Sequence, residues 1–223
     1  MEAIRHPAAP APRGGSADPT TAREPSAPTT QSWTVADPAP LGLAAFALTT
    51  FVLSMFNAGL VDRAGEPVAY ALAFGYGGLA QLLAGMWEFR NGNTFGAVAF
   101  TSYGAFWLSF FAYVQFFARD VPAGDAGHAV GLFLIAWGIF TAYMFVASMR
   151  TTAAVAAVFL ALTVTFLLLG IGEAGAHTSL VKAGGWAGLV TAVLAWYASF
   201  AVVTNTTFGR TLLPVGPLRG EQG

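Results

Sequence analysis

The sequence predicts an all-α integral membrane fold, with six transmembrane helices bundled in each protomer and both termini in the cytoplasm. Three observations carry that prediction. Only 9% of the 223 residues are charged and 56% are hydrophobic, with 26 glycines and 19 phenylalanines, a composition far from that of soluble domains. Six apolar stretches follow one another, each of about 20 residues and so long enough to cross a hydrocarbon core of about 30 Å as a helix. The connections between them are short, and no stretch carries a charge at its middle.

Composition also removes several classes. There is no cysteine, hence no disulfide framework, thiolate chemistry or Cys-based metal site. A formal net charge of −1 offers no basic stripe for nucleic acid. Residues 1–36 are rich in Pro, Ala, Ser and Thr and read as a disordered tail, because they cannot bury enough apolar surface to offset ordering. No apolar core follows Arg5 and Arg13, so the tail does not read as a secretory signal. Residues 37–209 then form the six-helix transmembrane domain and 210–223 a short cytoplasmic tail.

The first span, about 41–61, is opened by Asp37-Pro38-Ala39-Pro40-Leu41-Gly42-Leu43. Asp37 suits the N-cap, Pro38 suits the first helical position where no N–H is needed, and Pro40 still falls in the first turn. The free N–H groups and positive dipole end there suit a carboxylate; alternatively, the prolines only fix a helix start. The second span, 67–87, carries Gly75, Gly77 and Gly78, and the sixth, 183–204, carries Gly184, Gly185 and Gly188. Both sets permit close helix approach, within a bundle or between protomers. The third span covers 95–118, the fourth 129–149 and the fifth 151–171. Only Arg150 and its neighbours separate the last two, which predicts a tight antiparallel hairpin. Arg23, Arg90, Arg150, Arg210 and Arg219 fall on one side of the membrane. Arg63, Arg119 and Lys182 fall on the other, beside Asp62, Glu66, Asp120, Asp125 and Glu173, and the positive-inside rule places the termini in the cytoplasm.

Polar groups within spans are costly in lipid and should face protein or an aqueous path. At helical spacing the first span offers Phe46, Thr50, Leu53 and Asn57, and the second Phe74, Gly78, Gln81, Gly85 and Glu88. The third offers Phe100, Tyr103, Trp107 and Phe110 with Thr101 and Ser102 beside them, the fifth Leu162, Thr165 and Leu169, and the sixth Thr191, Ala198 and Asn205. Hydroxyls and amides mixed with large rings fit a narrow pathway for a small, weakly polar solute. Taken singly, a Thr or Ser in a span most often bonds its own helix, and an aromatic stripe most often packs. The primary amides of Asn57 and Gln81 demand more, namely partners on other helices. Glu88 either titrates in a partly desolvated mouth and couples protons to passage, or pairs with Arg90 at the interface. His128 and His177 lack ligand spacing, so no metal site is expected.

Three blocks resemble the acetate uptake transporter family, which includes bacterial succinate–acetate permeases and yeast acetate/ammonia exporters. The run from Asp37 to Leu43 is similar to that family's Asn-Pro-Ala-Pro-Leu-Gly-Leu signature, with Asp37 in place of Asn. Both residues cap helices, but Asp adds a negative charge that bears on substrate range and proton dependence. Gly77-Gly78-Leu79-Ala80-Gln81, Ala84-Gly85, Glu88, Gly92-Asn93-Thr94-Phe95-Gly96 and Ala99-Phe100-Thr101-Ser102-Tyr103-Gly104-Ala105-Phe106-Trp107 resemble its second block. Phe208-Gly209-Arg210-Thr211-Leu212-Leu213-Pro214 resembles its C-terminal block, so the likeness covers about residues 36–216. The resemblance implies a six-helix protomer that assembles as a hexamer, with a separate pathway in each subunit. A Phe, a Tyr and a Leu narrow that pathway in the permeases and align with Phe46, Tyr103 and Leu162 here. The substrate-binding candidates are Asp37, Leu41, Gly42, Thr50, Asn57, Gln81, Thr101, Trp107 and Asn205, and the proton-coupling candidate is Glu88.

The expected function is transmembrane transport of acetate and related small monocarboxylates, extending to succinate, proton-coupled or channel-like. Acetate is expected to be favoured over succinate, because a dicarboxylate must be desolvated at both ends. The spans hold no His-Glu-x-x-His, paired acids or nucleophile with an evident base, so no enzyme and no cofactor are expected. Lys182 lies at a span end, away from where a retinal-type Schiff base would sit. The expected partners are small carboxylates, the lipid of the cell membrane and further copies of the chain in a homo-hexamer. A channel for ammonia or urea is the rival, and indifference to a proton gradient would distinguish it.

Overall fold

The computed structural model describes residues 35–218; the expected tail up to residue 34, with Arg23, and also Arg219 lie outside the described residues. Six helices are long and apolar enough to cross a membrane: α1 (Ala39–Asn57), α2 (Arg63–Asn91), α3 (Thr94–Asp120), α4 (Ala126–Ser148), α5 (Ala153–Ala174) and α6 (Thr178–Phe208). Each expected span corresponds to one of them, with the ends moved by a few residues. The chain is a multi-pass protein of the cell membrane.

Local chemistry explains where the helices begin and end. At the start of α1 the expected cap shifts by one residue. Pro38 is the N-cap, its carbonyl accepting from the Gly42 N–H at 3.2 Å, while the Asp37 carboxylate accepts from the Ala39 N–H at 2.9 Å. The Asp37 side chain therefore satisfies a free N–H of the first turn from just outside the helix. Between α2 and α3, Gly92 turns the chain in the left-handed region (φ 76°), and Asn93 Oδ1 accepts from the Gly96 N–H at 3.1 Å. Thr152 Oγ1 does the same for the Val155 N–H at 3.2 Å, closing the tight α4–α5 turn around Arg150.

Two helices contain turns that periodicity did not predict. In α2 the segment Gly75–Ala80 is π-helical, and α3 passes through a π-helical turn, Tyr113–Phe117, before closing in a 3-10 turn, Ala118–Asp120. At 31 residues α6 is the longest helix, about 46 Å at 1.5 Å per residue, more than a bilayer core requires. Its surplus turn anchors the end of the chain. Asn205 Oδ1 accepts from the Leu212 and Leu213 N–H groups, and its amide donates to the Leu213 carbonyl. The segment then crosses to α5, where the Ala153 N–H donates to the Gly216 carbonyl at 2.6 Å and Thr152 bridges to Pro217.

The helices pack in a closed ring, α1 against α2, α2 against α3, and so on round to α6 against α1. Most neighbours touch backbone to backbone. A Cβ on Gly77 would strike Thr49, and one on Gly185 would strike Ala58, so these expected packing glycines act within the protomer, whereas Gly75 faces outward with nothing near it. Between α3 and α4 the contact is made by rings instead. Tyr103 and Phe106 meet Trp137 at centroid distances of 6.0 and 5.2 Å, and Phe106 stacks on Phe133 at 5.4 Å.

Candidate functional site

The ring of helices encloses a cavity of about 220 Å³, lined by residues of α1 to α5. Its mouth lies at the ends of α1, α3 and α5 and the starts of α2 and α4, opposite the face that carries Asp37 and Thr206. Asn57, Arg63, Glu66 and Glu173 stand there, and Arg63 and Glu66 form an ion pair at 3.6 Å. Deeper in, the walls become apolar and aromatic, with Tyr70, Phe106, Trp107, Phe110, Leu134 and Phe166. The floor is reached at Phe46, Thr50, Leu162 and the Trp107 side of the wall.

Phe46, Tyr103 and Leu162 are brought into one buried cluster, each less than 5% exposed. The Phe46 and Tyr103 rings lie 5.7 Å apart and tilted, and Phe159 closes on Tyr103 from α5 at 6.0 Å. The Tyr103 hydroxyl is 3.0 Å from Thr141 Oγ1, which itself donates to the Trp137 carbonyl at 2.7 Å. Because that hydroxyl's single proton is committed to the carbonyl, Tyr103 is the donor in the pair. The bond fixes the ring across the α3–α4 gap. Sequence reasoning passed over Thr141; its only signal was a hydroxyl near the middle of a largely apolar fourth span, which also holds Tyr143 and Ser148.

The binding candidates divide by location. Thr50, Asn57 and Trp107 line the cavity, and the Thr50 hydroxyl and Trp107 indole N–H are buried without a hydrogen-bond partner among the described residues. Each such group costs about 1–3 kcal/mol if it stays unmatched, so this floor favours a solute that can accept hydrogen bonds. Gln81, Thr101 and Gly42 do not line the cavity; Gln81 and Thr101 lie behind it at the α2–α3 seam, and Gly42 packs under the Phe100 ring. Asp37 and Leu41 sit on an outer groove between α1 and α6. Asn205 clamps the C-terminal segment, a structural task that leaves its amide no free donor pair for a solute.

Glu88 does not pair with Arg90. It is fully buried at the end of α2 that meets the start of α3, where Oε2 accepts from the Asn91 amide at 3.2 Å. Oε1 lies beside Asn93 and Gly96. The Asn93 amide is near enough to act on the carboxylate, yet the geometry leaves Oε1 without a hydrogen bond.

A ring of membrane-spanning helices around an internal, largely aromatic cavity defines a class of protein, the channel or carrier for a small solute. The chain belongs to the GPR1/FUN34/yaaH family, whose model matches residues 20–219. It is similar to acetate permease A of Emericella nidulans, 45% identical over 81% of this chain and 65% of that protein. The match thus leaves about a third of the fungal relative's length unaligned. It is also similar to the succinate-acetate/proton symporter SatP of Escherichia coli, 39% identical over 82% of this chain and 96% of that protein. Among solved structures it resembles the bacterial acetate channel SatP, with a TM-score of 0.77 and 39% identity, covering 82% of this chain and 100% of that one. These three are named as a permease, a symporter and a channel, not as enzymes.

Proposed function

We propose that this protein carries acetate and related small monocarboxylates, and the dicarboxylate succinate more weakly, across the cell membrane along a path within each protomer. The observation that carries the reading is the floor of the cavity, where two unpartnered donors, the Thr50 hydroxyl and the Trp107 N–H, stand beside Phe46 and Leu162. A carboxylate accepts from both while its methyl group meets the aromatic wall. Beyond them Phe46, Tyr103 and Leu162 form the size-selecting constriction. A second carboxylate would have to enter the same apolar stretch, and its desolvation disfavours succinate. Asn57 and Arg63 at the mouth act as the first contacts for an incoming anion.

The names of the similar proteins support this substrate class, and the symporter among them supports proton coupling, with Glu88 as the coupling group. In this reading the termini are cytoplasmic, as the arginine bias favours, and protomers associate as a hexamer, the assembly the family resemblance implies. Uptake of radiolabelled acetate into proteoliposomes with an imposed pH gradient, against competing acids and protein-free vesicles, tests the proposal. Acetate flux no faster than through bare lipid refutes it. Mass measurement of the detergent-solubilised complex tests the hexamer.

A further inference from the structure

Within the ring of helices, three ring-to-ring contacts join helices that are not neighbours in it. Phe46 of α1 meets Tyr103 of α3 at 5.7 Å, Tyr103 meets Phe159 of α5 at 6.0 Å, and Phe159 meets Phe95, back on α3, at 5.1 Å. Because α1, α3 and α5 alternate round the ring, contacts among them reach across its interior. The first two contacts belong to the constriction. The third, Phe95 with Phe159, stands further along the same interior, toward the face that carries Asp37 and Thr206.

Helix geometry fixes its place along the axis. α1, α3 and α5 all start at that face, and Phe95 is the second residue of α3. Phe95, Ala99 and Tyr103 follow one face of α3 at four-residue intervals, which puts Phe95 about 12 Å from Tyr103 along the helix. Side chains lean toward the start of their helix, so the Phe159 ring reaches from one turn below Leu162 toward Phe95. The cavity does not enter this stretch: Phe95, Ala99 and Phe159 do not line it, and Ala99 and Phe159 are buried. The interior is thus open toward Arg63 and Glu66 and shut toward Asp37. The rings that shut it are held unequally. Tyr103 meets four other rings and donates its hydroxyl to Thr141. Among the described residues the Phe95 ring meets only that of Phe159, and it is half-buried at the rim.

We propose that Phe95 is a gate leaf, distinct from the size-selecting constriction, that closes the path against Phe159 at the face carrying Asp37 and Thr206. The inference rests on the reading of a solute path that passes Phe46, Tyr103 and Leu162 within the protomer. A carboxylate beyond the constriction meets Ala99, the small residue between the two large rings of α3, and then the closed Phe95–Phe159 pair. Rotation of the Phe95 side chain toward the solution breaks one ring contact and moves no backbone. The same motion of Tyr103 would break four ring contacts and a buried hydrogen bond. Tyr103 therefore sets which acids pass, and Phe95 sets how often the way out is open.

The test compares wild type with Phe95→Ala in proteoliposomes, against protein-free vesicles, reading acetate uptake and the chain-length cutoff for labelled acids. Phe95→Ala is expected to raise acetate uptake per incorporated protein by up to about tenfold, the equivalent of the ring contact that holds the leaf shut, with the cutoff unchanged. Misfolding lowers uptake, so a gain is not its side effect. Because the chain has no cysteine, Ala99→Cys supplies a single thiol behind the leaf. A charged methanethiosulfonate reagent should scarcely label it in the otherwise wild-type protein, and should label it about tenfold faster once Phe95→Ala is added, as read by mass spectrometry. If wild type carries acetate and Phe95→Ala does not speed it, or leaves that thiol hidden, the gate is overturned while the path stands. A cutoff relaxed in Phe95→Ala would make Phe95 part of the constriction and overturn the gate as well. Wild-type uptake no faster than through bare lipid removes the path and the gate with it. Should Phe95→Ala fail to assemble, Phe95→Leu, which keeps apolar bulk without the ring, is read in the same way.

Discussion

Truncating Tyr103 gives the sharpest test of the constriction, because the structure separates the work of its ring from that of its hydroxyl. The ring meets Phe46, Phe140, Trp137 and Phe159 at centroid distances of 5.7, 5.5, 6.0 and 6.0 Å and is 3% exposed. In Tyr103→Phe all four contacts survive. Thr141 loses one accepted bond but keeps its bond to the Trp137 carbonyl, so the cost is about 1 kcal/mol. In Tyr103→Ala the ring contacts go, and the cost rises to about 3–5 kcal/mol, the range for emptying a buried aromatic site. The effect on passage should follow the same division. A tight apolar site discriminates against one extra methylene by about 1–3 kcal/mol, or tenfold and more. Tyr103→Phe should therefore keep the wild-type order of acid uptake, with a slightly lower melting midpoint. Tyr103→Ala should pass longer-chain acids nearly as fast as acetate and melt well below wild type. Both are read from labelled acids of increasing chain length in proteoliposomes, normalised to incorporated protein, with thermal unfolding followed by intrinsic fluorescence. An unchanged chain-length cutoff in Tyr103→Ala would show that the constriction lies elsewhere.

Other substitutions probe the scaffold. Gly85→Ala puts a methyl group into the Thr101 backbone N, which cannot yield as a flexible side chain would. It should destabilise by about 1–3 kcal/mol or more, while Gly75→Ala, with nothing near it, should leave the melting midpoint almost unmoved. Equal midpoints for the two would contradict the seam geometry. Asn205→Ala removes the clamp on Leu212 and Leu213, so hydrogen exchange at those amides should quicken without change in acetate uptake. Glu66→Gln breaks an ion pair whose Arg63 side chain is 59% exposed. Its stability cost should stay below about 1 kcal/mol, and a larger loss in a salt-independent melt would show that the pair is more than a surface contact.

How much of this was legible in the sequence depended on what lipid does to periodicity. Length and apolarity alone mark a span, so all six helices could be read, and the Arg150 hairpin with them. Residue spacing within a span is a weaker signal, because a helix that is apolar all round has no polar face to fix its phase. The π-helical turn at Gly75–Ala80 therefore left no trace beyond three glycines. The third-span stripe set Tyr103 beside Trp107, and the family resemblance added Phe46; all three fall in one buried cluster. Asn205 misled, since an amide near a span end reads equally well as a solute contact or a clamp, and its true partners lie seven and eight residues downstream in a segment with no pattern. Glu88 misled for a related reason. Arg90 was the nearest opposite charge in sequence, but residues two apart on a helix point away from each other, and Asn91 at i+3 holds the carboxylate instead.

The two predicted extremes, Tyr103→Ala and Gly85→Ala, follow from one contrast in how the ring of helices is closed. Between α2 and α3, glycines bring backbone against the neighbouring helix: Gly104 on the Leu82 N, Gly85 on the Thr101 N. Backbone atoms in such contacts cannot move without moving a whole helix, so an added methyl group there is resisted by the entire span. Between α3 and α4 the same gap is filled by Tyr103, Phe106, Phe133 and Trp137. There a side chain can be shortened while both helices stay seated against α2 and α5. The width of the path beside Tyr103 is accordingly a property of side chains, and the distance between α2 and α3 is a property of the backbone. A single substitution can retune the first, but it can only disrupt the second.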